Sequence, residues 1–215
     1  DVERSRGLGD VYKRQVKNIV FDFGGVLLDW NPKYFYRTYF KDEKEMEYFL
    51  SHICTEEWNA EQDKGRSFEE GVRLLQKQYP QYTEPIRMFK DKWECMLKGE
   101  FTRSVDLLKR LKGEGYGIYG LTNWSAETIP LVYSKYNFFQ LFEGIVVSGE
   151  EKVIKPDPKI YRILLERYNL TAENTLFIDD NSANIETAKQ LGFQTIVFDD
   201  FKNVSLQISV LTNDK

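Results

Sequence analysis

The chain has 215 residues, enough for one large domain with an insertion but not for two independent domains with full cores, and it carries a formal net charge of −4 from 30 basic and 34 acidic residues. These charges are interspersed, which leaves no electrostatic footprint for nucleic acid or an anionic membrane and makes the partner a small molecule or another protein. The single histidine, His52, excludes multi-histidine metal sites and HExxH proteases, the thiols Cys54 and Cys95 lack zinc spacing and suit a reducing cytosol, and no apolar run approaches the roughly 20 residues of a membrane span, so a cytoplasmic location is expected.

Residues 1–15 (DVERSRGLGDVYKRQ) are polar without helical or strand period and read as a disordered leader or a non-native extension. The first structured element is a strand, Lys17 to Phe23, whose near-continuous apolar run fits burial on both faces; Gly24-Gly25 ends it. From residue 31 to 99 the pattern becomes helical, with expected helices at Asp42 to Ser51, Ser67 to Tyr79 and Glu84 to Leu97. Ser67 and Glu70 form a capping box, Pro80 stops the second helix and Pro85 suits the first turn of the third. The aromatics Trp58, Phe68, Tyr79, Phe89 and Trp93 read as the core of a small bundle. Asp29-Trp30-Asn31-Pro32 reads as a surface turn.

After Gly99 strands and helices alternate. Expected helices span Arg103 to Lys112, Ala126 to Lys135, Pro158 to Tyr168 and Ala183 to Leu191, and expected strands Tyr116 to Thr122, Ile145 to Ser148, Thr175 to Asp179 and Thr195 to Phe198. Such alternation specifies right-handed βαβ crossovers, so the fold class is α/β, a doubly wound parallel sheet, with residues 16–30 and 100–215 as the core and 31–99 as a small helical-bundle cap.

In a parallel sheet every strand ends on the same edge, and ligands bind in the crevice outside it. Asp22 closes the first strand there, either as a turn acceptor or as a reactive carboxylate. Thr122-Asn123 ends the next strand before a helix, where an N-cap turn and an anion site are compatible readings. Lys155, between Ile154 and Pro156, is a solvated loop lysine or a fixed positive charge. Asp179-Asp180 either cap a helix or form a pair that needs a cation to neutralise it. Together the four motifs make a phosphoryl-transfer set of nucleophile, hard-metal ligands, phosphate donors and lysine.

The ordered motifs FDFGGVL, LTNWS, IKPDPKIY and FIDDNSANIETA resemble those of the haloacid dehalogenase superfamily over nearly all of residues 16–200. The resemblance implies an Mg²⁺-dependent phosphatase with Asp22 as covalent nucleophile, Lys155 steadying it and the phosphate, and Phe23, Thr122 and Asn123 on the phosphate. It further implies that Asp22, the Gly24 backbone oxygen, Asp179 and Asp180 bind the metal, and that Trp58, Asn59, Glu61 and Gly65 fall near a specificity loop of the cap. The substrate expected is a small phosphorylated metabolite such as a sugar phosphate.

One position departs from the pattern. Most phosphatases of the family carry a second aspartate two residues after the nucleophile as general acid and base, and here that position is Gly24. Loss of such help costs ~10²–10⁴-fold in rate, so the expected substrate has a good leaving group, as in a sugar 1-phosphate or an acyl phosphate. Two rival readings stand beside this one: 2-haloacid dehalogenation, disfavoured by the charge of Asp179-Asp180, and a non-catalytic module that binds a phosphorylated ligand.

Overall fold

The computed structural model describes residues 16–212; the expected leader at 1–15 lies outside the described residues. The chain enters as β1, Asn18–Phe21, crosses a turn into β2, Leu28–Trp30, and then builds five helices: α1, Lys33–Tyr39; α2, Glu43–His52; α3, Glu56–Asp63; α4, Phe68–Gln78; and α5, Thr83–Asp91. A 3₁₀ turn at Trp93–Met96 leads into β3, Leu97–Glu100, and α6, Thr102–Gly113. There follow β4, Gly117–Thr122; α7, Ile129–Lys135; β5, Gly144–Val147; and the short α8, Ser148–Glu151. The chain closes with α9, Pro158–Arg167; β6, Thr175–Asp179; α10, Ser182–Gln190; β7, Gln194–Val197; and α11, Phe201–Thr212.

The five long-range strands form one parallel sheet in the order β5-β4-β1-β6-β7. β1 is central, and its side chains alternate between two cores: Ile19 and Phe21 pack with α6, α7 and α11, whereas Val20 packs with α9 and α10. The chain winds outward from β1 through β4 to β5, then returns to the other side of β1 with β6, so the topological switch point lies between β1 and β6. Asp22 directly follows β1, which stops at Phe21 rather than at the expected Phe23, and Asp179 ends β6, the two strands that flank it.

The helical insertion leaves and rejoins the sheet through the antiparallel ribbon β2–β3. This ribbon corrects two expectations. Asp29 to Trp30 is strand rather than surface turn, with the Asp29 carboxylate accepting from the Tyr34 hydroxyl at 2.6 Å. The expected helix Glu84 to Leu97 ends at Asp91, because Leu97 onward pairs with Leu28–Trp30, a partner nearly 70 positions away in sequence that helical periodicity does not reveal. Helices α1, α3, α8 and α11 lie outside the elements expected from periodicity, Ser148 opening α8 rather than closing a strand, and α7 begins at Ile129 after a turn over 126–128. Ser67 caps α4 as its spacing implies, its hydroxyl accepting the Glu70 N–H at 3.2 Å.

Candidate active site

The four expected motifs meet at the C-terminal edge of the sheet. The Asp22 Oδ1 accepts the Phe23 backbone N–H at 2.7 Å and faces the Lys155 Nζ at 2.9 Å, while Oδ2 takes no hydrogen bond from the described residues. Lys155 is 2% exposed and spends its three donors on Asp22, Asp179 Oδ2 at 2.6 Å and the Leu121 carbonyl at 2.9 Å. It therefore acts as a fixed charge that orients both carboxylates. The loop bearing it is clamped by Asn123, whose side chain accepts the Lys155 N–H at 2.8 Å and donates to the Lys155 carbonyl at 3.0 Å. Asn123 thus joins the second and third motifs through its side chain, a role its helix-start position does not disclose.

Asp179 is fully buried, and its four lone-pair positions are filled by Lys155, the Asn181 N–H at 2.8 Å and the Asn184 Nδ2, which lies 3.0 Å from each oxygen. Asn184 was not anticipated; its spacing of five from Asp179, one turn into α10, is the only signal that could have found it. Asp180, by contrast, is exposed and lies against Gly25, whose φ of +75° suits glycine and where any Cβ would collide with the Asp180 carboxylate. Oxygens of Asp22, Asp179 and Asp180 lie within 4.8 Å of one another.

Three carboxylates thus face one ammonium, and the imbalance appears in their titration. Burial pushes Asp22 up to about 7, opposed by Lys155 and reinforced by Asp179 and Asp180. Asp180 is raised by burial and by Asp179. Burial lowers Lys155, but Asp22 and Asp179 outweigh it and hold the ammonium above its ordinary range. An oxygen-ligated dication answers this excess of negative charge, so the donor set fits a hard metal. Thr122 Oγ1, fully buried at the end of β4, has no hydrogen-bond partner among the described residues, which marks it as a donor awaiting an acceptor.

A cleft of about 230 Å³ opens over these groups, with Asp22, Gly24, Asn123, Lys155 and Asp180 as its floor. Its walls include Trp30, Trp93 and Trp124, two of which leave a buried indole N–H unpaired among the described residues, Trp30 and Trp124. Of the four residues expected near a specificity loop, Asn59 lines this cleft, and Trp58, Glu61 and Gly65 do not. Trp58 packs on Phe89 with ring centroids 5.0 Å apart, Glu61 is solvent-exposed, and Gly65 makes a left-handed turn (φ +103°) against the Gly149 carbonyl. The wall residue without an expectation behind it is Asp63, which ends α3 and faces the same cleft.

Fold and site together place a strand-end carboxylate, Asp22, at the edge of a Rossmann-like sheet beneath a helical insertion. The family model of the haloacid dehalogenase-like hydrolases matches residues 16–192, and the chain belongs to that family. It is 29% identical to a sesquiterpene phosphatase of Aspergillus oryzae over 82% of this chain and 86% of that protein. It is 25% identical to a D-ribitol-5-phosphate phosphatase of Bacteroides thetaiotaomicron over 92% of this chain and 99% of that one. A haloacid dehalogenase family enzyme of Bacteroides thetaiotaomicron, solved with magnesium and inorganic phosphate, superposes with a TM-score of 0.67 at 25% identity, covering 88% of this chain and 98% of that chain. No helix among the described residues is long and apolar enough to cross a membrane.

Proposed function

We propose that the protein is an Mg²⁺-dependent phosphomonoesterase that acts on a small phosphorylated metabolite through an aspartyl-phosphate at Asp22. The observation that carries this reading is the Asp22 carboxylate itself: one oxygen is pinned by Phe23 N–H and Lys155, and the other is unoccupied and faces the cleft. The pinned geometry holds the free oxygen ready to attack phosphorus, forming the Oδ2–P bond as the ester P–O bond breaks. Water then displaces Asp22 from phosphorus and inorganic phosphate departs. Thr122 Oγ1 donates to a phosphate oxygen, with the backbone N–H of Asn123 beside it, whereas the Phe23 N–H expected there is spent on Asp22 Oδ1.

Asp22, Asp180 and the Gly24 carbonyl would hold the metal, with Asp179, its lone pairs already filled, standing behind them to fix Lys155. When bound, Mg²⁺ supplies positive charge that offsets the phosphate and the carboxylates. Support for the phosphoryl group as substrate, over a haloacid, comes from the carboxylate cluster: without a dication it would repel a substrate carboxylate.

The test is a screen across sugar, polyol, isoprenoid, nucleotide and acyl phosphates, with Asp22→Asn as control. Phosphate release is expected with Mg²⁺, falling to background on chelation and in Asp22→Asn. Metal-independent turnover, or turnover retained by Asp22→Asn, would overturn the assignment. Binding of phosphorylated ligands without a trappable phospho-Asp22 would favour the non-catalytic module.

A further inference from the structure

Beyond the floor of the cleft, the helical insertion contributes one ionisable group that the mechanism above leaves idle. Asp63 is the last residue of α3, and Ser148 ties it to the core beside the second motif. Its backbone carbonyl accepts from the Ser148 hydroxyl, and the same hydroxyl accepts the Trp124 N–H at 2.9 Å. The carboxylate also accepts from Asn59 Nδ2 at 3.1 Å. Asp63 is thereby joined to the loop that starts with Thr122 and Asn123.

Its position relative to the cavities gives it a task. An outer cavity of about 590 Å³, lined by Lys33, Glu47 and Ser51 among others, adjoins the inner cleft. Asp63 lines both, as do Trp30 and Asn59. A phosphoryl group over Asp22 would place its ester oxygen in the inner cleft that Asp63 also lines, with the body of the substrate directed toward the outer cavity. Gly24 offers no side chain for that oxygen, and the alkoxide of an ordinary alcohol is a poor leaving group without a proton.

We infer that Asp63 protonates the leaving oxygen, serving as the general acid that position 24 lacks. The proposal rests on the phosphatase reading of Asp22. As Oδ2 of Asp22 bonds to phosphorus and the P–O bond breaks, the Asp63 proton passes to the departing oxygen, releasing the alcohol and leaving Asp63 as a carboxylate. In the second half-reaction that carboxylate takes a proton from the attacking water, phosphate is released from Asp22, and Asp63 is again an acid. Burial supports the assignment by raising Asp63 to about 7, against the opposing effect of the Ser125 N–H, so that a protonated fraction exists near neutrality. The expectation of a good leaving group then no longer applies, because the insertion provides the acid and ordinary alcohol phosphates become competent substrates.

The experiment compares Asp63→Asn with the wild type on two esters: the best alkyl phosphate from the screen and p-nitrophenyl phosphate, whose phenolate departs without a proton. The ratio kcat/KM reports steps up to departure of the leaving group. It is expected to fall ~10²–10⁴-fold on the alkyl ester while staying within about threefold on the aryl ester, where kcat and KM fall together as phospho-Asp22 accumulates. Equal losses on both esters, or no loss on the alkyl ester, would overturn the proposal. Wild-type turnover of the aryl ester alone would also overturn it, while leaving the phosphatase reading intact. Wild-type inactivity on both would sink that reading and this proposal with it. The aryl rate reports whether Asp63→Asn is folded; should that variant not fold, Asp63→Ser is expected to show the same selective loss.

Discussion

Two carboxylates, the buried Asp179 and the half-buried Asp63, receive opposite treatment from their surroundings. Asp179 is saturated by an ammonium, an amide N–H and the Asn184 side chain, whereas Asp63 has only Asn59 and the Ser125 N–H to stabilise its charge. The charged groups facing Asp63 are Asp22, Lys155 and Asp180 across the inner cleft and Lys33, Glu47, Glu56 and Glu57 across the outer one. Burial dominates and pushes the Asp63 carboxyl up to about 7, above the ordinary aspartate value of 3.8. Between those values the unfolded chain binds fewer protons than the folded one, so Asp63 makes stability fall as pH rises through this window, with the full loss reached above pH 7. Asp63→Asn removes that penalty. Its melting temperature is expected to match the wild type near pH 4 and to exceed it at pH 8 by a few degrees, at ~2–4 °C per kcal/mol for a chain of this size. A thermal melt series across pH checks this, and a difference that shrinks with rising pH would contradict it.

At the scale of elements, the site depends on how α3 and α8 meet the loop after β4. Ser148, the first residue of α8, receives the Trp124 N–H and donates to the Asp63 carbonyl, so one hydroxyl joins the sheet edge to the insertion. Ser148→Ala would leave a buried N–H and a C=O unpaired, a cost of ~1–3 kcal/mol. The expected signature is local: faster hydrogen exchange at Trp124 and at the end of α3, with the central strand β1 unchanged. Uniform acceleration through the molecule would instead mean that the contact contributes only to global stability. At this scale the sequence was partly legible. The sheet strands announced themselves because burial on both faces leaves continuous apolar runs such as Ile19 to Phe21 and Leu176 to Ile178. The short α3 and the ribbon β2–β3 did not, since α3 presents mostly polar residues and the ribbon forms only through pairing between distant segments.

For the whole molecule, the core of the insertion is continuous with one face of the sheet. Tyr36, Phe49, Phe68 and Phe89 belong to the same buried cluster as Ile19, Phe21 and Leu176, and Trp93 meets Trp124 with centroids 5.6 Å apart at the junction. An apolar core that crosses the boundary couples the two parts in free energy, because opening either exposes surface of both. A single calorimetric transition is therefore expected, with equal van't Hoff and calorimetric enthalpies, and Mg²⁺ should raise its midpoint by mass action. Two resolved transitions would show that the insertion unfolds on its own.

The sequence by itself determined the parallel α/β sheet, the helical character of the insertion and the gathering of Asp22, Thr122, Lys155 and Asp179-Asp180 at one edge. Those features follow from local rules, namely apolar period and the placement of polar residues where strands end. Only the tertiary structure decided that Asp179 is spent on Lys155 while Asp180 is free, that Asn123 clamps the lysine loop, and that Asp63 of the insertion stands at the mouth of the cleft. Each of these is a contact between residues 24 or more apart or a difference in burial between neighbours. The reason is physical: a carboxylate's role is set by the donors and solvent around it, and those arrive from elements whose approach no local pattern encodes.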